Sequence, residues 1–281
     1  MYSSYFFIPA DKPRFISKMP DLEADYFIFD MEESVCDNAV LSCIDNLKKL
    51  RKIEKNYFVR IPIDYENCEN AEHIIKDLYQ IGFSTFLIPK VRTQNDIQIL
   101  IRQIPNEING GVRFGLLVET PSFLVDFYNV AREYRKYISL VLIGSHDYCN
   151  IVGCKHSYDN LLYIRQKLLA ECKALELPII DYVSTDFVDK KKFAQECVKS
   201  CNEGFDGRAI IHPEQLDAFN NARYYTEDEV KEALKVKSII DKIDMANFST
   251  LNIDGKLYEK PHIRRIYNIA NWQQKYFIYD L

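Results

Sequence analysis

The chain has 281 residues, of which 47% are hydrophobic and 27% are charged. These fractions are typical of a soluble globular domain, so they exclude wholesale disorder, collagen and a coiled-coil rod. There are 36 Lys and Arg residues against 41 Asp and Glu residues, which gives a net charge of −5. This balance disfavours general nucleic-acid binding, because phosphate contacts require a basic surface.

The sequence predicts neither a membrane span nor a secretion signal. No apolar run approaches the roughly 20 residues that a membrane helix needs. The first apolar stretch, residues 5–10, is too short for a signal-peptide core and is followed at once by charged residues. The eight cysteines are scattered and form no CxxC motif, which favours reduced thiols over a disulfide framework. We therefore expect a cytoplasmic protein with no membrane partner.

Short apolar runs recur along the chain and predict the fold. They begin near residues 5, 26, 57, 85, 114, 139, 178 and 207. A βαβ unit takes about 30 residues, so this spacing fits strands separated by helices. The runs are continuously apolar, as in strands that are covered on both faces. Eight such units predict an α/β fold of the TIM (β/α)8 barrel type. The alternative is a doubly wound open sheet, but the chain has no GxGxxG motif and only 9 glycines.

The segments between the strands carry helical periodicity, and the pattern continues beyond the eighth strand. Thr226 and Glu229 are spaced as a capping box at the start of a further helix. A hairpin-like segment and a last helix follow. We expect residues 1–225 to form the barrel, and residues 226–281 to form a C-terminal helix, a hairpin-like lid and a last helix.

Polar residues stand at the ends of the predicted strands, where a TIM barrel carries its active site. They are Asp30, Glu32, Arg60, Lys90, Glu119, Asp147, Asp181 and His212. Strand alternation places Asp30 and Glu32 on one face and turns Glu33 away. Each of these residues also has a simpler interpretation. Glu33 and Asp181 are typical of helix caps or surface ion pairs, Arg60 can pair with Asp30 or Glu32, Lys90 can be solvated, and His212 can cap a helix.

Several carboxylates at one barrel mouth repel one another unless a cation joins them. Glu119 and Asp147 end adjacent predicted strands, and oxygen ligands of this kind suit Mg²⁺. An arginine in the same mouth can hold an oxyanion. A metal ion together with an arginine can stabilise an enolate, so proton abstraction or carbon–carbon cleavage next to a carbonyl is the chemistry indicated.

A second cluster of potential metal ligands is His146, Cys149, Cys154 and His156. Its spacing matches no standard zinc pattern. We therefore interpret Cys149 and Cys154 as small buried hydrophobic residues.

Sequence stretches in chain order resemble one known family. They are FFIPADKPRFISKMPDLEADYFIFDMEESV, FVRIPI, FLIPKV, GLLVETPSFL, IGSHDY, GFDGRAIIHPEQL and LNIDGKLYEKPHIRRIYNIA. Together they resemble the citrate lyase β-subunit-like proteins of the HpcH/HpaI aldolase superfamily. The resemblance covers nearly the whole chain, and it is specific to the superfamily rather than to a substrate.

The resemblance implies a TIM barrel with a Mg²⁺ cofactor held by Glu119 and Asp147. It further implies that Arg60 holds the keto or enolate oxygen of the substrate, and that Asp30 and Glu32 orient water on the metal. The implied enzyme is a Mg²⁺-dependent carbon–carbon lyase or aldolase acting through a metal-stabilised enolate. Its small-molecule substrate is a 2-oxo acid or a citryl-CoA- or malyl-CoA-like hydroxyacyl thioester, carried by CoA or by acyl carrier protein.

Three further site residues and the assembly complete this expectation. We predict that Lys90 and His212, with Arg60, bind substrate. The resemblance implies that Glu259, in a C-terminal lid, is the catalytic acid/base and reaches a neighbouring subunit's site in a homotrimer or hexamer.

Some residues depart from the family pattern and leave a second function open. Ser3 stands where the family has an early Arg, His146 where it has Glu, and Glu259 where it has Asp. The alternative is therefore a catalytically degenerate family member that acts as a binding or scaffold subunit.

Overall fold

The structure, a computed structural model, describes residues 2–36, 39–50, 56–65, 69–104, 110–243 and 248–276. The chain divides into two compact units, Tyr2–Ala222 and a second unit from Arg223 onward.

The first unit is a closed barrel of eight parallel strands. The strands are β1 (Ser3–Pro9), β2 (Tyr26–Asp30), β3 (Asn56–Arg60), β4 (Thr85–Ile88), β5 (Arg113–Val118), β6 (Ile138–Ile143), β7 (Ile179–Asp181) and β8 (Gly207–Ile210). Each strand pairs with the next, and β8 pairs with β1 to close the barrel. The predicted TIM barrel is confirmed, and the open-sheet alternative is wrong.

Helices follow the strands along the chain. They are α1 (Pro13–Ile16), α2 (Val40–Lys48), α3 (Glu69–Gln80), α4 (Gln94–Gln103), α5 (Pro121–Glu133), α6 (Ser145–Val152), α7 (Tyr158–Ala174), α8 (Lys190–Glu203) and α9 (Pro213–Asn220). Capping side chains mark the start of several of these helices. Thr93 caps α4 and forms a reciprocal capping box with Asp96, and Ser157 caps α7.

Large apolar side chains fill the inside of the barrel. Tyr5, Ile28, Phe58, Leu87 and Leu140 belong to this buried cluster. Removing one large aromatic side chain from such a core costs about 3–5 kcal/mol. The barrel therefore provides a rigid support for residues at the carboxyl ends of its strands.

Behind β7 and β8 the structure contains a buried network of ion pairs, which the sequence did not predict. Asp181 is fully buried and accepts two hydrogen bonds from Arg165, at 3.0 and 2.7 Å, and one from Arg208 at 3.1 Å. Arg165 also pairs with Glu203, and Arg208 with Glu196. The interpretation of Asp181 as a helix cap or surface ion pair is wrong, because its side chain joins the barrel wall to α7 and the neighbouring strand.

The second unit contains α10 (Glu227–Ile240), the hairpin of β9 (Thr250–Ile253) and β10 (Lys256–Glu259), and α11 (Lys260–Tyr276). Thr226 and Glu229 form the expected capping box of α10. Asp254 and Gly255 connect the hairpin strands, and both have positive φ, as tight two-residue turns of this type require. Within the described ranges, no helix is both long and apolar enough to cross a membrane.

Candidate active site

Asp30 and Arg60 form the most tightly held pair at the carboxyl ends of the strands. They are in register at the ends of β2 and β3. Arg60 donates from Nε to Asp30 Oδ1 at 2.7 Å and from Nη2 to Oδ2 at 2.6 Å, and both side chains are buried. Burial alone would raise the pKa of Asp30, but the hydrogen bonds and charge of Arg60 outweigh it and hold this pKa below its ordinary value. The Asp30 carboxylate therefore fixes the Arg60 guanidinium in one orientation.

Glu32 and Lys90 extend this pair across the mouth. Arg60 Nη1 lies 3.3 Å from Glu32 Oε2, and the Lys90 ammonium is paired with the same carboxylate. Lys90 has φ of 56°, a conformation that non-glycine residues rarely adopt. The pairing of Arg60 with Asp30 and Glu32, the simpler interpretation of this arginine, is thus present in the structure.

Glu33 points into the site, so the prediction that it faces away is wrong. Its Oε2 lies 3.2 Å from Arg60 Nη1, and it lines the same cavity as Asp147. Burial, together with the neighbouring charges of Glu32 and Asp147, raises the pKa of Glu33. The alternation rule fails here because β2 ends at Asp30 and the chain then turns.

Glu119 lies directly after β5 and is only 1% exposed. Its Oε1 accepts the Lys90 backbone N–H at 2.5 Å, while a Cβ atom at Gly144 would lie only 2.6 Å from its Oε2. A residue larger than glycine at position 144 would displace this carboxylate. Burial, followed by the charges of Asp147, Glu32 and Glu33, raises the pKa of Glu119 to about 8.

Asp147 lies in the first turn of α6 and not at the end of a strand as predicted. The strand β6 ends at Ile143, and Gly144 connects it to the helix. Asp147, Glu119, Glu33 and Arg60 nevertheless line one cavity of about 470 Å³.

The donor set of this cavity suits Mg²⁺. Glu119 and Asp147 offer oxygen atoms, and the pKa of Glu119 is raised first by burial and then by neighbouring carboxylates, whose charge a cation would neutralise. Among the described residues there is no group of three or more His, Cys, Asp or Glu that could hold a metal by itself. Two carboxylates with the remaining positions left to water and substrate are the usual arrangement for Mg²⁺.

His212 has a structural role in the structure. Its Nδ1 accepts the Glu214 backbone N–H at 3.2 Å and so caps α9, and its ring stacks on Phe187 at 4.6 Å between centroids. The substrate-binding role of His212 remains a prediction.

The structure also joins residues that sequence reasoning did not connect. Ser145 Oγ lies 2.9 Å from His156 Nε2, and the His146 and His156 rings stack at 4.1 Å between centroids. Cys149 is buried as expected, whereas Cys154 is only half-buried. No periodicity in the sequence signals these contacts, because they depend on how the loop after α6 folds back.

Carboxylates and an arginine thus converge at the carboxyl ends of the strands of a closed barrel, where barrel enzymes carry their active sites. Residues 3–213 match the HpcH/HpaI aldolase/citrate lyase family, and the chain belongs to that family.

Named relatives agree with this assignment over most of the chain. The (3S)-malyl-CoA thioesterase of Cereibacter sphaeroides is 27% identical, over 93% of this chain and 91% of that protein. The citrate lyase subunit beta of Leuconostoc mesenteroides subsp. cremoris is 24% identical, over 94% of this chain and 92% of that protein. The mitochondrial citramalyl-CoA lyase of Homo sapiens is 23% identical, over 93% of this chain and 82% of that protein.

Solved structures show the same fold. CitE from Mycobacterium tuberculosis, in complex with magnesium, acetoacetate and coenzyme A, superposes with a TM-score of 0.77 at 20% identity. The superposition covers 96% of this chain and 98% of that one. The predicted family is confirmed, and so is the predicted enzyme class, a carbon–carbon lyase.

Proposed function

We propose that this chain is a Mg²⁺-dependent carbon–carbon lyase or aldolase that acts on a 2-oxo acid or on a hydroxyacyl thioester carried by CoA or acyl carrier protein. The observation that carries the proposal is the convergence of Glu119, Asp147 and Arg60 on one cavity. The names of the relatives support the same class of chemistry.

Glu119 and Asp147 would hold the Mg²⁺ ion. When bound, the ion would polarise a substrate carbonyl and favour the enolate that carbon–carbon cleavage next to that carbonyl requires. Glu119 is positioned for this by the Lys90 backbone N–H and by the absence of a side chain at Gly144.

Arg60 would bind the oxygen atom on which negative charge develops. Asp30 accepts the hydrogen bonds of Arg60 Nε and Nη2. The remaining nitrogen, Nη1, faces Glu33 and Glu32 and is the one that would contact the substrate. Because Asp30 fixes the guanidinium in advance, little reorganisation is needed when the charge develops.

Replacing Arg60 by Lys tests this role. Lysine keeps the charge but loses the two-pronged contact with Asp30, so kcat is expected to fall on the order of 10²–10³-fold. The assay is steady-state cleavage of whichever of citramalyl-CoA and malyl-CoA the parent protein turns over. Turnover of Arg60→Lys close to that of the parent would remove Arg60 from the mechanism.

Glu259 is the proposed acid/base, and the C-terminal unit the proposed lid of a homotrimer or hexamer. Glu259→Gln keeps the shape of the side chain but cannot transfer a proton, so kcat is expected to fall by about 10² or more while Mg²⁺ affinity stays unchanged. Glu227→Gln, on the exposed face of α10, is the matched control. Equal turnover of the two variants would exclude Glu259 from proton transfer.

The alternative is a binding or scaffold subunit without turnover. Two measurements separate the lyase from the scaffold subunit. A thermal-shift assay with Mg²⁺ and oxaloacetate or pyruvate detects binding, and product analysis with citramalyl-CoA and malyl-CoA detects cleavage. Binding together with product formation supports the lyase. Binding without any product would support the scaffold.

A further inference from the structure

A second, smaller cavity opens from the same carboxylates. It has a volume of about 350 Å³ and shares Glu119 and Asp147 with the larger cavity. Its remaining wall is formed by Lys90, Arg92 and Thr120 on one side. The other residues of this wall are Ile63, Asp64, Tyr65 and Ile151. A substrate held at Glu119 and Asp147 can therefore extend toward Arg92.

Most cationic groups at this mouth already have strong partners. Arg60 is held by Asp30, and the Lys90 ammonium is paired with Glu32. Arg92 differs, because its one ion pair among the described residues is a long contact of 3.5 Å from Nε to Asp96 Oδ2.

That Asp96 oxygen is also occupied by other donors. It accepts the backbone N–H groups of Arg92 and Thr93 at 2.8 and 3.0 Å. Within the part of the chain that the structure describes, the Nη1 and Nη2 atoms of Arg92 have no hydrogen-bond or ion-pair partner. The terminal edge of the Arg92 guanidinium is thus available to a ligand.

Tyr65 keeps this guanidinium at the cavity wall. The Arg92 guanidinium carbon lies 5.6 Å from the centre of the Tyr65 ring, within the range of a cation–π contact. Tyr65 is itself fixed, since its hydroxyl donates to the Pro89 carbonyl oxygen at 2.9 Å. The Arg92 side chain is 50% exposed, so binding an anion does not require a buried ion pair to be broken.

We propose that Arg92 is a specificity-determining residue that binds a carboxylate at the end of the substrate remote from Glu119 and Asp147. The proposal rests on the proposed function, because it places the other end of the substrate at those two carboxylates. A guanidinium pairs with a carboxylate through two parallel hydrogen bonds, which a neutral group cannot form. Within the proposed function, Arg92 therefore favours substrates that carry a free carboxylate at this end over similar substrates that lack one.

Two stable 2-hydroxy acids test this directly. (S)-Malate and (S)-lactate differ only in that malate carries a second carboxylate. Calorimetry with the full-length protein at a fixed, saturating Mg²⁺ concentration is expected to show malate binding about tenfold more tightly than lactate. Arg92→Gln should abolish this difference in affinity, because only the binding of malate is weakened, and Arg92→Lys should retain part of the difference.

Arg132→Gln is the matched control. Arg132 lies on α5 with its guanidinium carbon 5.6 Å from the centre of the Tyr128 ring, the same distance as between Arg92 and Tyr65, and it lines neither of the two cavities. Arg132→Gln should leave the affinities for malate and for lactate unchanged.

Other outcomes would overturn the role of Arg92. Equal affinity of the parent for malate and lactate, or equal weakening of both by Arg92→Gln, would overturn the role of Arg92 and leave the proposed function standing. Failure of the Mg²⁺-loaded parent to bind either acid would also overturn the role of Arg92, whereas the proposed function is tested separately by product formation from citramalyl-CoA and malyl-CoA.

Discussion

Replacing Glu119 by Gln is expected to abolish Mg²⁺ binding while the barrel remains folded. The amide has almost the same shape and can still accept the Lys90 backbone N–H through its oxygen. It carries no negative charge, however, and one of the two proposed carboxylate ligands is lost. Affinity measured by calorimetry should fall by more than about 10²-fold, since changes to partners outside the ligand set alone lower metal affinity by about 10–100-fold.

The same measurement at different pH values tests the electrostatics of the site. Because the pKa of Glu119 is raised to about 8, this carboxyl group is mostly protonated at pH 7 in the metal-free protein. Mg²⁺ must displace that proton, so the affinity of the parent should rise between pH 6 and pH 8. Glu133→Gln, at the exposed end of α5, is the control and should behave as the parent does. Parent-like Mg²⁺ affinity in Glu119→Gln would place the metal elsewhere.

Replacing Asp181 by Asn is expected to lower the free energy of unfolding by about 3–5 kcal/mol, because it removes one partner of a buried ion-pair network. Asp181 accepts from both Arg165 and Arg208, and neither arginine can reach water when that charge is lost. Urea denaturation of the two proteins at pH 7 measures the difference.

Lowering the pH should reduce this difference in the free energy of unfolding between the parent and Asp181→Asn. Burial alone would raise the pKa of Asp181, but Arg208 and Arg165 outweigh it and hold this pKa below the ordinary value. The stabilisation is therefore present above about pH 4, the pKa of an unfolded Asp, and is lost as the pH falls through the lower folded pKa. Asp126→Asn, on the exposed face of α5, should change stability by less than about 0.5 kcal/mol. Similar stabilities of the Asp181 and Asp126 variants would contradict a stabilising role for the network.

Patterns that repeat along the chain predicted the barrel well. The eight predicted strands are confirmed. They could be predicted because a parallel strand that is buried on both faces leaves a continuous apolar run in the sequence. The convergence of Asp30, Arg60 and Glu119 follows from the same geometry, since each lies at the carboxyl end of a strand.

Features that depend on a turn or on a distant partner were not predictable in this way. Glu33 was misplaced because strand alternation stops where β2 ends, and Asp147 because Gly144 lets a helix begin directly after β6. Asp181 was misinterpreted because its partners, Arg165 and Arg208, lie on other elements. A sequence pattern reports the periodicity of one element, whereas these contacts arise only when several elements pack together.

Deuterium exchange tests whether Glu119, Asp147 and Arg60 promote enolate formation with Mg²⁺, and it does so without knowledge of the full substrate. Pyruvate and acetyl-CoA are incubated separately with the protein in D₂O, and loss of their methyl proton signals is followed by NMR. We predict Mg²⁺-dependent exchange in at least one of the two, with none above the protein-free rate for Glu119→Gln. Exchange at the protein-free rate for both compounds, with the Mg²⁺-loaded parent protein, would contradict the proposed chemistry.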